Sequence, residues 1–343
     1  MKKILSLLWF AALCAGASST QAQDVHFSQF FNAPQYLNPA TTGSLDADLR
    51  FAAHYRNQWG SVTAPFQTFA GSAEGTFAAG LSEDDRMAVG LWLMNDVAGT
   101  ANFKNQQAML SYAYYKSLKG EDAYISVGLQ AGVAQQSVEF NNLLFGNQYD
   151  GTVLQSSLPT GEGSLNAGTK LTPDFGAGVA GSFKIKKKYQ TYVGIGINHI
   201  SEPNVSFGTG GAVLYRKYSA FAGVDIPVTK NIAITPRLIY LLQGKHNELN
   251  IGVTAKFKFG DNPYNDNGNA FFVGTTHRLG DAQVVLVGFE YGYFTMGLSY
   301  DVNFSKLTQV SRFQGGPEIC LVYKADAWTR DRRPNKLYPC PKF

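Results

Sequence analysis

This chain is short of charge, of cysteine and of long apolar runs, and each shortage removes a class of protein. Only 16% of its 343 residues are Asp, Glu, Lys or Arg, with 29 basic side chains against 25 acidic ones. A formal charge of +4 over that length is no basic field for nucleic acid. Three cysteines are too few for a disulfide scaffold, and Cys14, Cys320 and Cys340 lack the paired spacing of a zinc site. Beyond the first residues no stretch approaches the roughly 20 apolar residues of a transmembrane helix. Glycine, at 36 residues, and aromatic side chains, at 13%, are plentiful. That mixture suits short amphipathic strands with aromatic rims.

Met1 to Ala22 reads as a secretory signal. Lys2 and Lys3 form its charged start, Ile4 to Gly16 its apolar middle, and Thr20-Gln21-Ala22 offers a small residue before the cut. The mature chain is then expected to begin at Gln23, and loss of two lysines lowers the formal charge by two. Leu13 stands before Cys14 where lipidation processing wants a small residue, so no lipid anchor is expected. In an oxidising envelope Cys320 and Cys340 either pair or remain two free thiols, and their spacing does not choose.

From about Leu45 nearly to the end, apolar and polar residues alternate with period two. The clearest segment sets Leu249, Ile251, Val253, Ala255, Phe257 and Phe259 against Asn250, Gly252, Thr254, Lys256 and Lys258. A soluble sandwich shows the same alternation, so connection lengths have to discriminate. The pattern parses into fourteen strands, at 45–58, 66–80, 86–96, 103–117, 122–136, 173–185, 188–199, 213–227, 231–243, 248–259, 269–278, 281–290, 293–304 and 312–324. Most even-to-odd connections are tight, whereas 137–172 and 200–212, both odd-to-even, are the longest. The predicted fold is all-β, a transmembrane antiparallel barrel of about 14 strands with both termini in the periplasm. Its predicted parts are a signal at 1–22, an N-terminal periplasmic or plug segment at 23–44, the barrel at 45–324 and a periplasmic tail at 325–343. Tyr189, Tyr192, Tyr215, Tyr218, Tyr240, Phe271, Phe289, Tyr291, Tyr293 and Tyr300 fall near strand ends, as an interfacial girdle does.

Motifs for chemistry were tested against this frame. Gly176-Ala177-Gly178-Val179-Ala180-Gly181 spells a dinucleotide fingerprint, but β alternation runs through it where a helix should open. The five histidines lie in no zinc-protease or nucleophile motif, so neither catalysis nor a cofactor is expected. Asp261 to Gly268 hints at a calcium loop, yet aligning its glycine puts Pro263 at the first ligand position. Arg50, Arg56 and Arg237 share the polar strand faces with Asp48, Asp301 and Glu290, either pairing across the lumen or lining a pore.

Several separated blocks carry a resemblance. Phe27-Ser28-Gln29-Phe30 and Tyr36-Leu37-Asn38-Pro39-Ala40 precede the barrel, and Tyr55-Arg56-Asn57-Gln58-Trp59 ends its first strand. Val287 to Tyr291, Leu298-Ser299-Tyr300-Asp301 and Pro317-Glu318-Ile319-Cys320-Leu321 follow in order. Together with the close at Tyr338-Pro339-Cys340-Pro341-Lys342-Phe343, they resemble the PorP/SprF family of Bacteroidetes outer-membrane proteins. That family is tied to type IX secretion and gliding motility. The resemblance implies a noncatalytic outer-membrane barrel, serving secretion or the export and surface attachment of an adhesin. The expected partners are periplasmic-ring lipoproteins or a peptidoglycan-associated protein, a large secreted adhesin, and outer-membrane lipid. A passive porin or small-solute transporter is the competing class.

Two sites follow. In the tail, Lys336, Tyr338, Pro339, Cys340, Pro341 and Phe343 are expected to dock the periplasmic partner. Before the barrel, Phe27, Phe30, Phe31, Tyr36 and Leu37 are too costly to leave in water, and are expected to pack inside or against the periplasmic mouth.

Overall fold

The computed structural model describes residues 24–327, apart from 46, 61–63, 80–83, 119–122, 140–142, 162–167, 187, 208–210, 260–268 and 306–307. Alternating sequence becomes fourteen antiparallel strands. They are β1 (Leu49–Gln58), β2 (Phe66–Ala78), β3 (Arg86–Ala98), β4 (Phe103–Ser117), β5 (Ala123–Ser137), β6 (Thr169–Ile185) and β7 (Tyr189–Asn198). The second half comprises β8 (Lys217–Pro227), β9 (Ile232–Gln243), β10 (His246–Phe259), β11 (Asn269–Arg278), β12 (Ala282–Tyr291), β13 (Phe294–Asn303) and β14 (Gln314–Ala325). Each strand pairs with its sequence neighbours, and β1 pairs with β14 to close the barrel, with His54 opposite Cys320. Closure removes the two unpaired edges that an open meander leaves in lipid.

Strand limits shift where local packing overrides alternation. Leu45 and Ala47 are buried ahead of β1 rather than standing in it. β6 starts at Thr169 and includes Pro173. That stretch pairs with β5 alone, because β7 reaches only as far as Ala177, so the missing N–H of a proline is tolerated on a free edge.

Side-chain parity sorts the wall into two faces. Leu110, 66% exposed, and Val89, Leu93, Val127, Leu129 and Ile251 point outward, while Ala88, Trp92, Met109, Ser111 and Ser126 point inward and are buried. Of the anticipated aromatic rim, Tyr218, Tyr240, Phe271, Phe289, Tyr291, Tyr293 and Tyr300 are exposed on the outer face. Tyr192 is a correction: it shares inward parity with Gly194 and Gly196, and packs on Phe221 and Ile239 inside the barrel.

Polar groups bound the outer apolar band. At one end Asn95, Gln106 and Gln135 form an outward amide ladder, Gln106 donating to Asn95 at 2.9 Å and Gln135 to Gln106 at 3.3 Å. At the other, Lys116 and the Tyr114 hydroxyl meet Asp85 at 2.8 and 2.7 Å. Along β4 the ten steps from Gln106 to Lys116, at about 3.3 Å each and tilted about 40°, span roughly 25 Å. That height matches the hydrocarbon band of an outer-membrane barrel.

Residues 24–45 do not join the wall. They thread the lumen, with short helical turns at Phe30–Asn32, Pro34–Leu37 and Pro39–Thr41. Small residues on the wall make the room: a Cβ on Gly128 would collide with the backbone of Pro39 and Ala40, and one on Gly178 with the Asn38 amide. Gly178→Leu is therefore expected to leave a folded, heat-modifiable barrel whose segment 24–44 is cut readily by protease, with about 1–3 kcal/mol lost to overpacking. Limited proteolysis beside thermal unfolding checks this.

Candidate functional site

The threaded segment, hereafter the plug, is held by contacts to the inner wall of every strand from β1 to β11 and of β13 and β14. It runs from the end of the barrel where β7 stops and β8 starts to the end where β1 begins. Its central anchor is a buried ionic knot. Glu318 on β14 accepts the backbone N–H groups of Ser28 and Gln29 at 2.7 and 2.9 Å, capping the donors that open the first helical turn. Arg56 on β1 turns one guanidinium arm on Asp301 of β13 at 2.7 Å and the other on Glu318 at 3.2 Å. It also donates to the His26 carbonyl at 2.5 Å, and Ser28 Oγ donates to Asp301 at 2.6 Å. Arg56 and Glu318 are each 1% exposed, so the charges are compensated by one another rather than by water.

Beside the knot lies an apolar cluster. Phe27 meets the Trp92 and Tyr36 rings edge-on at 5.9 and 5.7 Å, and Tyr36 stacks on Trp92 at 5.2 Å. Phe30, Phe31 and Leu37 pack against the Tyr192, Phe221 and Ile239 cluster, and the Arg237 guanidinium lies 4.0 Å from the Phe31 ring. Further along, Asn38 bridges two strands by donating to the carbonyls of Val179 and Ile195 at 3.3 and 2.9 Å. The turn after it is fixed by Ser126 to the Ala40 carbonyl and by Tyr115 to the Thr42 carbonyl, at 2.8 and 2.7 Å. Gly43 N–H donates to Glu74, which also binds Arg50.

At the far end the first described residue is latched. Asp24 Oδ2 meets Lys217 Nζ at 2.6 Å and His199 Nε2 at 2.7 Å, and His199 Nδ1 meets Asp174 at 2.7 Å. Burial alone would raise the Asp24 pKa, but the His199 and Lys217 charges and their hydrogen bonds hold it well below the carboxylate range. Burial likewise disfavours charge on His199, yet the Asp24 charge and hydrogen bonds to Asp174 and Asp24 push it up to about 9. The imidazolium thus donates from both nitrogens to carboxylates.

The structure brings together blocks that stand hundreds of residues apart: Ser28-Gln29, Arg56, Asp301 and Glu318 meet in one knot, and Asn38-Pro39-Ala40 lies on the glycines of β5 and β6. Arg56 does pair with Asp301, whereas Arg50 pairs with Glu74, and Glu290 pairs with Lys256 at 2.6 Å. Sequence reasoning missed the roles of Glu318, Asp24, His199 and Asp174. Only the place of Glu318 in a motif block signalled it. Cys320 is buried, its Sγ 3.8 Å from His54 Nε2, and it forms no disulfide among the described residues. Cys340 and the rest of the tail site, Lys336, Tyr338, Pro339, Pro341 and Phe343, lie outside the described residues, as does the 261–268 loop.

A closed fourteen-stranded wall with an apolar outer band and its own chain threaded through the lumen defines a plugged outer-membrane barrel. The chain belongs to the family of the type IX secretion system membrane protein PorP/SprF, whose family model matches residues 19–323. No curated protein matches the sequence. Among solved structures the chain is similar to the Ralstonia pickettii toluene transporter TbuX, with TM-score 0.50 and 10% identity over 85% of this chain and 92% of that one. It is also similar to the CymD monoaromatic hydrocarbon channel, with TM-score 0.49 and 12% identity over 88% and 93%. At 10% identity the TbuX likeness speaks to the fold alone.

Arg56→Met should cost about 3–5 kcal/mol, because it takes from buried Glu318 its cationic partner and leaves Asp301 with Arg278 alone, and should free the plug to protease at temperatures where the wild type resists. The latch also has a pH signature. The His199 contribution, from a pKa raised from 6.5 to about 9, is complete below about 6.5 and is lost as pH rises through 9. The Asp24 contribution is complete above its ordinary value of 3.8 and is lost only in stronger acid. Protease resistance of the Asp24 end should therefore fall between pH 7 and 10, and His199→Asn should remove most of that slope.

Proposed function

We propose that this chain is a noncatalytic, plugged barrel serving type IX secretion as an outer-membrane docking platform, supporting the export or surface attachment of a partner adhesin, gliding adhesins included. The observation that carries this reading is the seated plug in a chain of this secretion family. A passive porin or small-solute transporter needs a continuous aqueous path, and here the protein's own backbone crosses the lumen with its polar groups already spent on the wall.

Connection lengths support an orientation. The two longest connections, 138–168 and 199–216, leave the end at which Asp24 is latched. In outer-membrane barrels long loops face outward and short turns face the periplasm. On that reading β1 begins and β14 ends in the periplasm. The tail beyond residue 325, with Lys336, Tyr338, Pro339, Cys340, Pro341 and Phe343, then emerges beside periplasmic-ring lipoproteins or a peptidoglycan-associated partner. The Asp24 end of the plug then points toward the cell surface, where an adhesin would be displayed, which departs from the expectation of both termini in the periplasm: on this reading only the end after β14 lies there.

Planar-bilayer recording separates the two classes. The wild type should be silent, and deletion of 24–44 should open a conducting barrel. Steady conductance of the intact protein would instead favour the porin. For partners, an epitope in the 143–161 loop allows pull-down from gently solubilised outer membranes. Secretion-ring lipoproteins or a large adhesin should co-purify, and deletion of 336–343 should lower lipoprotein recovery without unfolding the barrel. Unchanged recovery would remove the tail from the docking role.

A further inference from the structure

On the outer wall, at the end of the barrel from which the 138–168 connection leaves, β2 to β6 enclose a groove of about 530 Å³. That volume lies within the range of small-molecule sites. Register sets its upper row, in which Phe69, Asn95, Gln106, Gln135 and Leu171 stand side by side across the five strands. Two residues further toward the middle of the wall, Gly71, Leu93, Ala108 and Val133 form the next row. Phe69 and Leu171, 55% and 61% exposed, are the two sides of the groove, and the Tyr55 ring backs Phe69 at 4.6 Å. Gly71 and Ala108 are its low points. The wall itself does not require that glycine, because a Cβ there would meet nothing nearer than the Ala52 carbonyl at 3.8 Å.

The amide row across the top is only partly satisfied from within. Gln106 donates to Asn95 and Gln135 donates to Gln106, so the Asn95 amide nitrogen and the Gln135 side-chain oxygen have no partner among the described residues. These two groups stand on strands two apart, about 10 Å, and a single ligand group therefore meets one of them. At the border of hydrocarbon an amide left open costs free energy. A lipid carbonyl accepts from Asn95 whether it belongs to an ester or to an amide. Gln135 is the selective position, because its oxygen needs an N–H or O–H and an ester junction carries neither. Charge does not point to phosphate: Lys104, the next outward residue beyond Gln106, is paired with Glu139 at 3.1 Å.

We propose that this groove is a binding site for an N-acylated lipid, its chain lying over Gly71, Leu93 and Ala108 and its amide N–H or a neighbouring hydroxyl donating to Gln135. Parity turns this face toward the apolar surroundings of the barrel, so lipid is what covers it. On the orientation above, the groove opens to the outer leaflet. The proposal rests on the outer-membrane placement of the barrel and not on its part in secretion.

The test uses full-length protein in nanodiscs made from equal parts N-palmitoyl sphingomyelin and palmitoyl-oleoyl phosphatidylcholine. Both lipids carry the same phosphocholine head, and only the first has an amide and a hydroxyl at its junction. After transfer to detergent, native mass spectrometry counts the lipid each barrel retains. Sphingomyelin should be retained about fivefold over phosphatidylcholine, the worth of one added hydrogen bond. Gln135→Leu should bring that ratio close to one. Gly71→Leu, which fills the groove from outside, should lower retention of both lipids at least about threefold. Heat-modifiable migration reports whether each variant is folded, and entry into nanodiscs checks the membrane placement separately. If one variant fails to fold, the other and the wild-type ratio decide. Equal retention of the two lipids by the wild type, or an unchanged ratio in folded Gln135→Leu, would overturn the site. So would a lipid-free dimer that Gly71→Leu dissociates, since the face would then belong to a second copy.

Discussion

Arg56 is the residue through which the wall and its contents become one structure. A guanidinium so deeply buried survives only with full compensation, and its compensation comes from β13, β14 and the plug at once. Glu318 faces the same demand and meets it with Arg56 and two plug amides. Removing any member leaves an uncompensated charge, so the knot fixes both where β1 meets β14 and where the plug sits.

The plug in turn explains the inner wall. In soluble cores inward positions are apolar, but here they include Ser126, Ser219, Glu74 and Glu318, because the plug groups they bond are backbone rather than side chain. Hydroxyls answer plug carbonyls and carboxylates answer plug amides. Glycines sit where the approach is closest, which is why a glycine run that spells a nucleotide fingerprint instead lies within a strand, with Gly178 against Asn38.

Strand number and order were legible in the sequence because alternation is a local signal and lipid on one side enforces it residue by residue. Even the out-facing aromatics followed, Tyr192 excepted, since a shift of one position in parity carries a ring from lipid to lumen. Pairings across the lumen were not legible. Asp24, His199 and Asp174 are drawn from an N-terminal stretch, a strand exit and a strand, and no spacing relates them. The aromatic stretch before β1 did signal burial, since Phe27, Phe30 and Phe31 have no other shelter. What it packs on is decided by tertiary closure.

Ser28 and Gln29 find their acceptor on Glu318, separated from them by 290 and 289 positions. The first stretch of the barrel protein to be made is therefore completed by the last strand to arrive. A finished cylinder offers no easy route for a folded, three-turn segment to enter and find thirteen walls. Closing β1 on β14 and seating the plug draw on the same Arg56 and Glu318, so neither is complete without the other, and the cylinder is built around its own leading segment.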